Sequence, residues 1–238
     1  MSKIVLSAVL VLLFAVSWSF SEDDVWKNRN SAEGAKAAYE FYKQALATKG
    51  DFESAWKLAR AVDLYAGNFI SDNDTKKAVY TEGKKAAEKA RTLDPTKPEG
   101  WYWYGVCLGN WASANGILDS LGSAGPLTEA CRKAIQLDPE FDHGSVYVLR
   151  GRVYHLAPAV ISVGDKNKAE ADYKKALELN PSNRTACLFY SELLIDNGQK
   201  DKARDMIARG IAIPLDEANS VSDGSDLKKL KALQEKVK

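Results

Sequence analysis

The sequence predicts an all-α fold, a solenoid of about four helix pairs with an N-terminal half repeat and a C-terminal capping helix. Three observations carry this. In the stretch Ala169 to Pro181, Ala169, Tyr173 and Ala176 lie four and three residues apart, on one face of a helix that Pro181 stops. The same offsets recur as Gly83, Ala87, Ala90, Pro95 and as Leu127, Cys131, Ala134, Pro139. An incomplete copy, Ala38, Tyr42, Ala45, precedes them, and a worn one, Ala203, Ile207, Gly210, Pro214, follows. Between copies stands a second motif, clearest as Trp101-x2-Tyr104-Gly105-x2-Leu108 and repeated as Tyr147-x2-Arg150-Gly151-x2-Tyr154.

Taken in order, residues 1–21 read as a signal peptide. Lys3 gives the positive start, Ile4 to Phe14 the apolar run, and Ser19 and Ser21 the small residues before a cut after Ser21. A retained anchor is the competing reading, but the run falls short of the roughly 20 apolar residues a bilayer needs. No stable membrane anchor is expected, and no cysteine before Cys107 offers a lipid-attachment site. Lys3 is one of 33 basic residues, so 32 remain against 32 acidic ones in the mature chain. That balance gives no reason to expect nucleic acid or anionic lipid as a partner.

Residues 22–31 are polar and are expected to be flexible, ending at Ser31 as an N-cap. The solenoid is placed at 32–214. A helix from Ala32 to Thr48, stopped by Gly50, makes the half repeat. Trp56 opens the next unit on a helix from Phe52 to about Tyr65, and the turn at Asp72 caps its partner, which runs to Leu93. Pro98 opens the helix that carries Trp101 and Gly105; truncating Trp101 is expected to cost roughly 3 to 5 kcal/mol as a core residue.

An insert from Gly109 to Gly125, holding Asn110 and an exposed Trp111, separates this helix from one opened by Pro126. A second insert, His155 to Asp165, precedes the Ala169 helix. The last unit, Cys187-x2-Tyr190-Ser191-x2-Leu194, turns at Asn197-Gly198, a linker covers 215–225, and 226–238 forms the capping helix.

These are the signature positions of a tetratricopeptide repeat (TPR), which they resemble in both motifs. Ala45 to Ala90, Ala90 to Ala134, Ala134 to Ala176 and Ala176 to Gly210 span 45, 44, 42 and 34 residues, against a repeat of about 34. The extra residues of three units fall mostly between their two helices, along one edge of the solenoid, where they would wall a groove.

In such repeats the concave face takes the residue after the aromatic position and those four and seven further on. Here these are Tyr102, Val106 and Gly109, then Val148, Arg152 and His155, then Leu188, Glu192 and Ile195. With Asn110 and Trp111 they make an apolar wall with a few polar heads. One reading is a pocket for a small apolar or amphipathic ligand or a peptide, with Arg152 holding a carboxylate and Asn110 or His155 donating hydrogen bonds. The other is that the inserts fold inward and fill the groove.

Catalytic sets are missing from the sequence. His143 and His155 have no metal-ligand spacing, and Gly122-Ser123-Ala124-Gly125 misses the nucleophile-elbow pattern by one position. No enzyme, metal or cofactor is expected. Cys131 and Cys187 replace core residues of the repeats, so they read as buried thiols or as a bridge between neighbours. The paired lysines at 84–85, 174–175 and 228–229 read as solvated helix faces.

From Phe52 to Ile213 the chain resembles the TatT component of tripartite ATP-independent periplasmic (TRAP) transporters. The likeness rests on Trp56-Lys57-Leu58-Ala59-Arg60-Ala61, on Gly83 to Pro95, on Tyr102-Trp103-Tyr104-Gly105 before a glycine-rich insert, and on Gly151 to Pro158 with Gly164-Asp165-Lys166. A similar layout occurs in the eukaryotic regulators of microtubule dynamics. The first resemblance implies an exported, periplasmic protein that partners a solute-binding protein through a cleft contacting hydrophobic solute. The missing lipid-attachment cysteine departs from that pattern and implies a freely soluble form. The partner is then that subunit or another polypeptide, and a homo-oligomer is left open.

Overall fold

The computed structural model describes residues 22–237, so the expected signal peptide lies outside the described residues. Eleven α-helices follow one another among them: α1 (Glu22–Lys27), α2 (Ala32–Lys49), α3 (Phe52–Phe69), α4 (Asn73–Leu93), α5 (Pro98–Asn115), α6 (Ile117–Leu137), α7 (Ser145–Leu156), α8 (Lys166–Leu179), α9 (Arg184–Asp196), α10 (Lys200–Ala212) and α11 (Ser220–Lys236). Four antiparallel hairpins result, α3 with α4, α5 with α6, α7 with α8 and α9 with α10, each packed on the next; α2 is the half repeat and α11 the cap.

Local chemistry sets the helix ends. Ser31, Asp51, Asp72 and Asp165 accept backbone N–H bonds from the first turns of α2, α3, α4 and α8, which would otherwise lack partners. Gly50, with φ 67°, closes α2 in the left-handed conformation that a side chain disfavours.

The small positions of the repeat let helices touch. Ala87, Ala90, Ala134, Ala169 and Ala176 are fully buried, as is Tyr173. A Cβ on Gly151 would stand 2.8 Å from Tyr173 Cε1, so α7 and α8 can meet only through a glycine there. Gly105 faces Leu149 of the next hairpin at 3.1 Å by the same measure. The three cysteines are buried free thiols, so no bridge joins the repeats; burial raises all three, Cys131 to about 12.

Several expected boundaries are corrected. Residues 22–31 hold a short helix where an irregular segment was expected: α1 buries Val25, and Trp26 lies under the Arg60 guanidinium, 3.6 Å from its ring centre. The Gly109–Gly125 insert is helical, extending α5 and α6 to meet at Gly116, and Pro126 lies inside α6. Burial of Ser123, Ala124 and Leu127 against the neighbouring helices outweighs the weak helix preference of Gly122, Gly125 and Pro126.

The span 215–225 is not a free linker. Asp216 caps a 3-10 turn at Glu217–Asn219, and α11 starts at Ser220. The almost wholly buried Arg184 holds this region, donating to the carbonyls of Gly210, Ile213 and Pro214 and pairing with Asp223. The 3-10 turn in turn receives Arg29 and Asn30 from the other end of the chain, which ties the two ends together.

Three aromatics expected in the core are only half-buried. Trp101 donates its ring N–H to the Pro95 carbonyl at 2.9 Å, Trp56 donates to Glu53, and Tyr154 lies at the core's margin. Leucines and tyrosines such as Leu58, Tyr104 and Tyr147 fill the interior beside them.

Candidate functional site

A hollow of about 560 Å³ opens between the extended α5–α6 hairpin and α7. Val106, Leu127, Leu149, Val153 and Leu156 supply apolar wall, Ala157 and Pro158 close one side, and Phe189 reaches in from α9. Arg152 and Asn110 are its principal polar heads. A smaller hollow of about 270 Å³ shares Val106, Leu149 and Phe189 with it, so the two adjoin across one line of side chains. Asp63 from α3, Tyr102 from α5, Ser145 from α7, and Asn183 and Thr185 at the start of α9 complete the smaller one. Four successive first helices therefore contribute, as a solenoid's concave face requires.

Of the expected site residues, Tyr102, Val106, Asn110 and Arg152 come together here. Arg152 is not free to hold a ligand carboxylate as it stands. Its guanidinium pairs with Glu192 and lies 4.2 Å from the Phe189 ring centre, so one expected pair of groove heads binds itself. His155 is buried, with Nε2 2.9 Å from the Asp196 carboxylate on α9, and it lines neither hollow.

Trp111 points away from the groove. It packs on the core between the first two hairpins, and the Lys84 ammonium covers its ring at 3.7 Å. Leu188 is fully buried with Ile207, Leu230 and Val237, because the capping helix α11 covers that face of α9. The inserts wall the groove and leave it open, through Ile117, Ser120 and Leu121 on α6.

Residue-by-residue reading missed Asp63, Leu149, Val153 and Phe189. Leu149 and Phe189 each stand two residues after an aromatic-position residue, Tyr147 and Cys187, so a stripe one residue wider would have found them. Asp63 carried no such signal. Its carboxylate accepts a hydrogen bond from the Asn110 amide at 2.6 Å, and burial raises it to about 6 despite that bond. Tyr102, stacked edge-on against Trp103 and Phe141, has its hydroxyl raised well above the usual range, first by burial and then by the charges of Asp142 and Asp63.

No group of three or more His, Cys, Asp or Glu among the described residues could hold a metal ion. No described helix is long and apolar enough to cross a membrane.

A stack of helical hairpins with a lined concave hollow defines a TPR-like binding module. The comparisons agree on the repeat class: a tetratricopeptide-repeat model matches residues 161–232. The model described as regulator of microtubule dynamics protein 1-3 matches residues 20–167, and the chain belongs to that family. It is 27% identical over 190 residues to regulator of microtubule dynamics protein 3 of Rattus norvegicus, covering 72% of this chain and 39% of that protein. To protein 1 of Bos taurus it is 28% identical over 107 residues, 45% of this chain and 33% of that protein. The chain thus spans well under half the length of these relatives. A thermophilic TPR protein of Thermus thermophilus superposes with a TM-score of 0.64 at 19% identity, covering 87% of this chain and all of that one, a likeness of fold alone.

Proposed function

We propose that this protein is a non-catalytic binding scaffold whose concave groove holds an apolar or amphipathic guest while another polypeptide docks on the repeats. The hollow of about 560 Å³ carries the reading: it falls in the range of roughly 300 to 1,000 Å³ usual for small-molecule sites, with apolar walls and few polar heads. Repeat solenoids of this class act by presenting such concave surfaces.

The finer reading follows the transporter-subunit resemblance. The protein works after export, soluble in the periplasm once its signal segment is removed, as an adaptor for a TRAP-type solute-binding protein, and passes solute through the groove. Native mass spectrometry of the purified protein tests the first part: a retained apolar species supports it, and a ligand-free protein that also takes up none when offered opposes it. Co-purification of a solute-binding protein from the source periplasm tests the second; its absence there opposes the adaptor role.

One observation favours a second reading, a protein–protein scaffold with no small guest. The two hairpin tips beside the hollow expose Leu118 and Ile117 on one side and Val160 and Ile161 on the other, 82%, 71%, 95% and 73% accessible. Clustered apolar tips of this kind suit a partner's helix or strand. A protein that captures only polypeptide, and loses it when Leu118 and Val160 become Asp, would support this reading.

A further inference from the structure

The smaller hollow has a feature that a purely apolar groove does not need. Asp63 presents a carboxylate whose hydrogen bond among the described residues is the one from Asn110, with no cation in ion-pair range. Neither the arginine one turn away on α3 nor the one that lines the groove pairs with it. Arg60, one turn earlier on α3, lies between the Trp26 and Trp56 rings, 3.6 and 4.8 Å from their centres. Arg152 is paired with Glu192.

Resting on the reading that the groove takes an amphipathic guest, we propose that its floor is a cation subsite. Asp63 receives the ammonium head of an amphiphile whose alkyl tail lies in the larger hollow against Leu127, Leu149 and Val153.

Three further observations fit this assignment. The hollows adjoin through Val106, Leu149 and Phe189, so a head at Asp63 leads directly to the apolar wall. The same hollow is lined by Tyr102, Ser145, Asn183 and Thr185; Ser145 and Thr185 already donate to the Asp142 carbonyl and the Asp226 carboxylate and Asn183 accepts from the Ala186 N–H, but their oxygens keep lone pairs that can accept the remaining N–H bonds of a primary ammonium. Burial raises the Tyr102 hydroxyl first, and the charges of Asp142 and Asp63 raise it further, so both carboxylates lie close to this lining residue. A carboxylate or phosphate head would meet the like charge of Asp63, and Arg152, the cation that lines the groove, is already paired with Glu192. A bare metal ion would find a single carboxylate, and no described cluster supplies the rest of a coordination shell.

Isothermal titration with decylammonium, decanol and decanoate near neutral pH tests this, all below their micelle concentrations. Decylammonium is expected to bind about tenfold tighter than decanol, the ratio that one charge-assisted bond supplies, and decanoate more weakly than decanol. In Asp63→Asn, which can keep the Asn110 bond, decylammonium should lose its preference and bind no tighter than decanol binds to the same variant. If no probe binds, the amphiphile reading of the groove itself fails. If decanol binds as well as decylammonium, or if Asp63→Asn keeps the preference, the groove stands and the cation subsite is overturned.

Discussion

The Asn110 amide on α5 donates to the Asp63 carboxylate on α3 at 2.6 Å, which joins two successive hairpins across the floor of the concave face. That bond only partly offsets the cost of burying the charge, and the carboxyl rests near 6 in place of the usual value of about 4.

A stability change with pH follows. Because the folded value is raised, the folded chain holds a proton between about pH 4 and 6 that the unfolded chain has released. The penalty is absent below about pH 4, grows as pH rises through 6 and is complete above it. Asp63→Asn should therefore stabilise the fold by about 2 kcal/mol near pH 8 and by nothing near pH 4, read as urea midpoints at the two pH values.

The C-terminal region hangs on Arg184. Removing its guanidinium leaves the carbonyls of Gly210, Ile213 and Pro214 and the Asp223 carboxylate short of partners in a buried setting. Arg184→Met should cost about 3 kcal/mol, and hydrogen exchange should rise over residues 213–236 before it rises elsewhere.

Burial ranks the aromatics differently from motif position. Tyr173, fully buried against Gly151, should cost about 4 kcal/mol as Tyr173→Ala. Trp101, half-buried with its indole N–H at the surface, should cost about 2 kcal/mol as Trp101→Ala. Thermal unfolding of the two variants checks the order.

Filling the hollow should separate binding from folding. Leu121 lies on the α6 wall and is only partly buried, so Leu121→Trp can swing a larger ring into the open space. Bound decanol should fall at least tenfold, with the melting temperature within a few degrees of the parent.

Much of this was legible in the sequence. The offsets of Ala169, Tyr173 and Ala176 place α8, and Ser31, Gly50, Asp72 and Pro98 mark real helix ends. The Gly109–Gly125 segment was not legible, because its four glycines, with Pro126 just beyond, look like a loop until α5 and α7 are present to bury Ala124 and Leu127. The groove was half legible. Periodicity finds Tyr102, Val106 and Arg152, but it cannot show that Arg152 already has Glu192, that α11 covers Leu188, or that Lys84 covers Trp111. Asp63 escapes it altogether, since a single acid on a first helix becomes distinctive only once the neighbouring helices enclose it.

The central claim is that the concave hollow admits an apolar guest, and methyl-resolved NMR during a decanol titration tests it most directly. The account predicts saturable shifts at Val106, Leu127, Leu149 and Val153, the methyls that line the hollow. Shifts confined to the exposed tips at Leu118, Val160 and Ile161, or none at all, would contradict it.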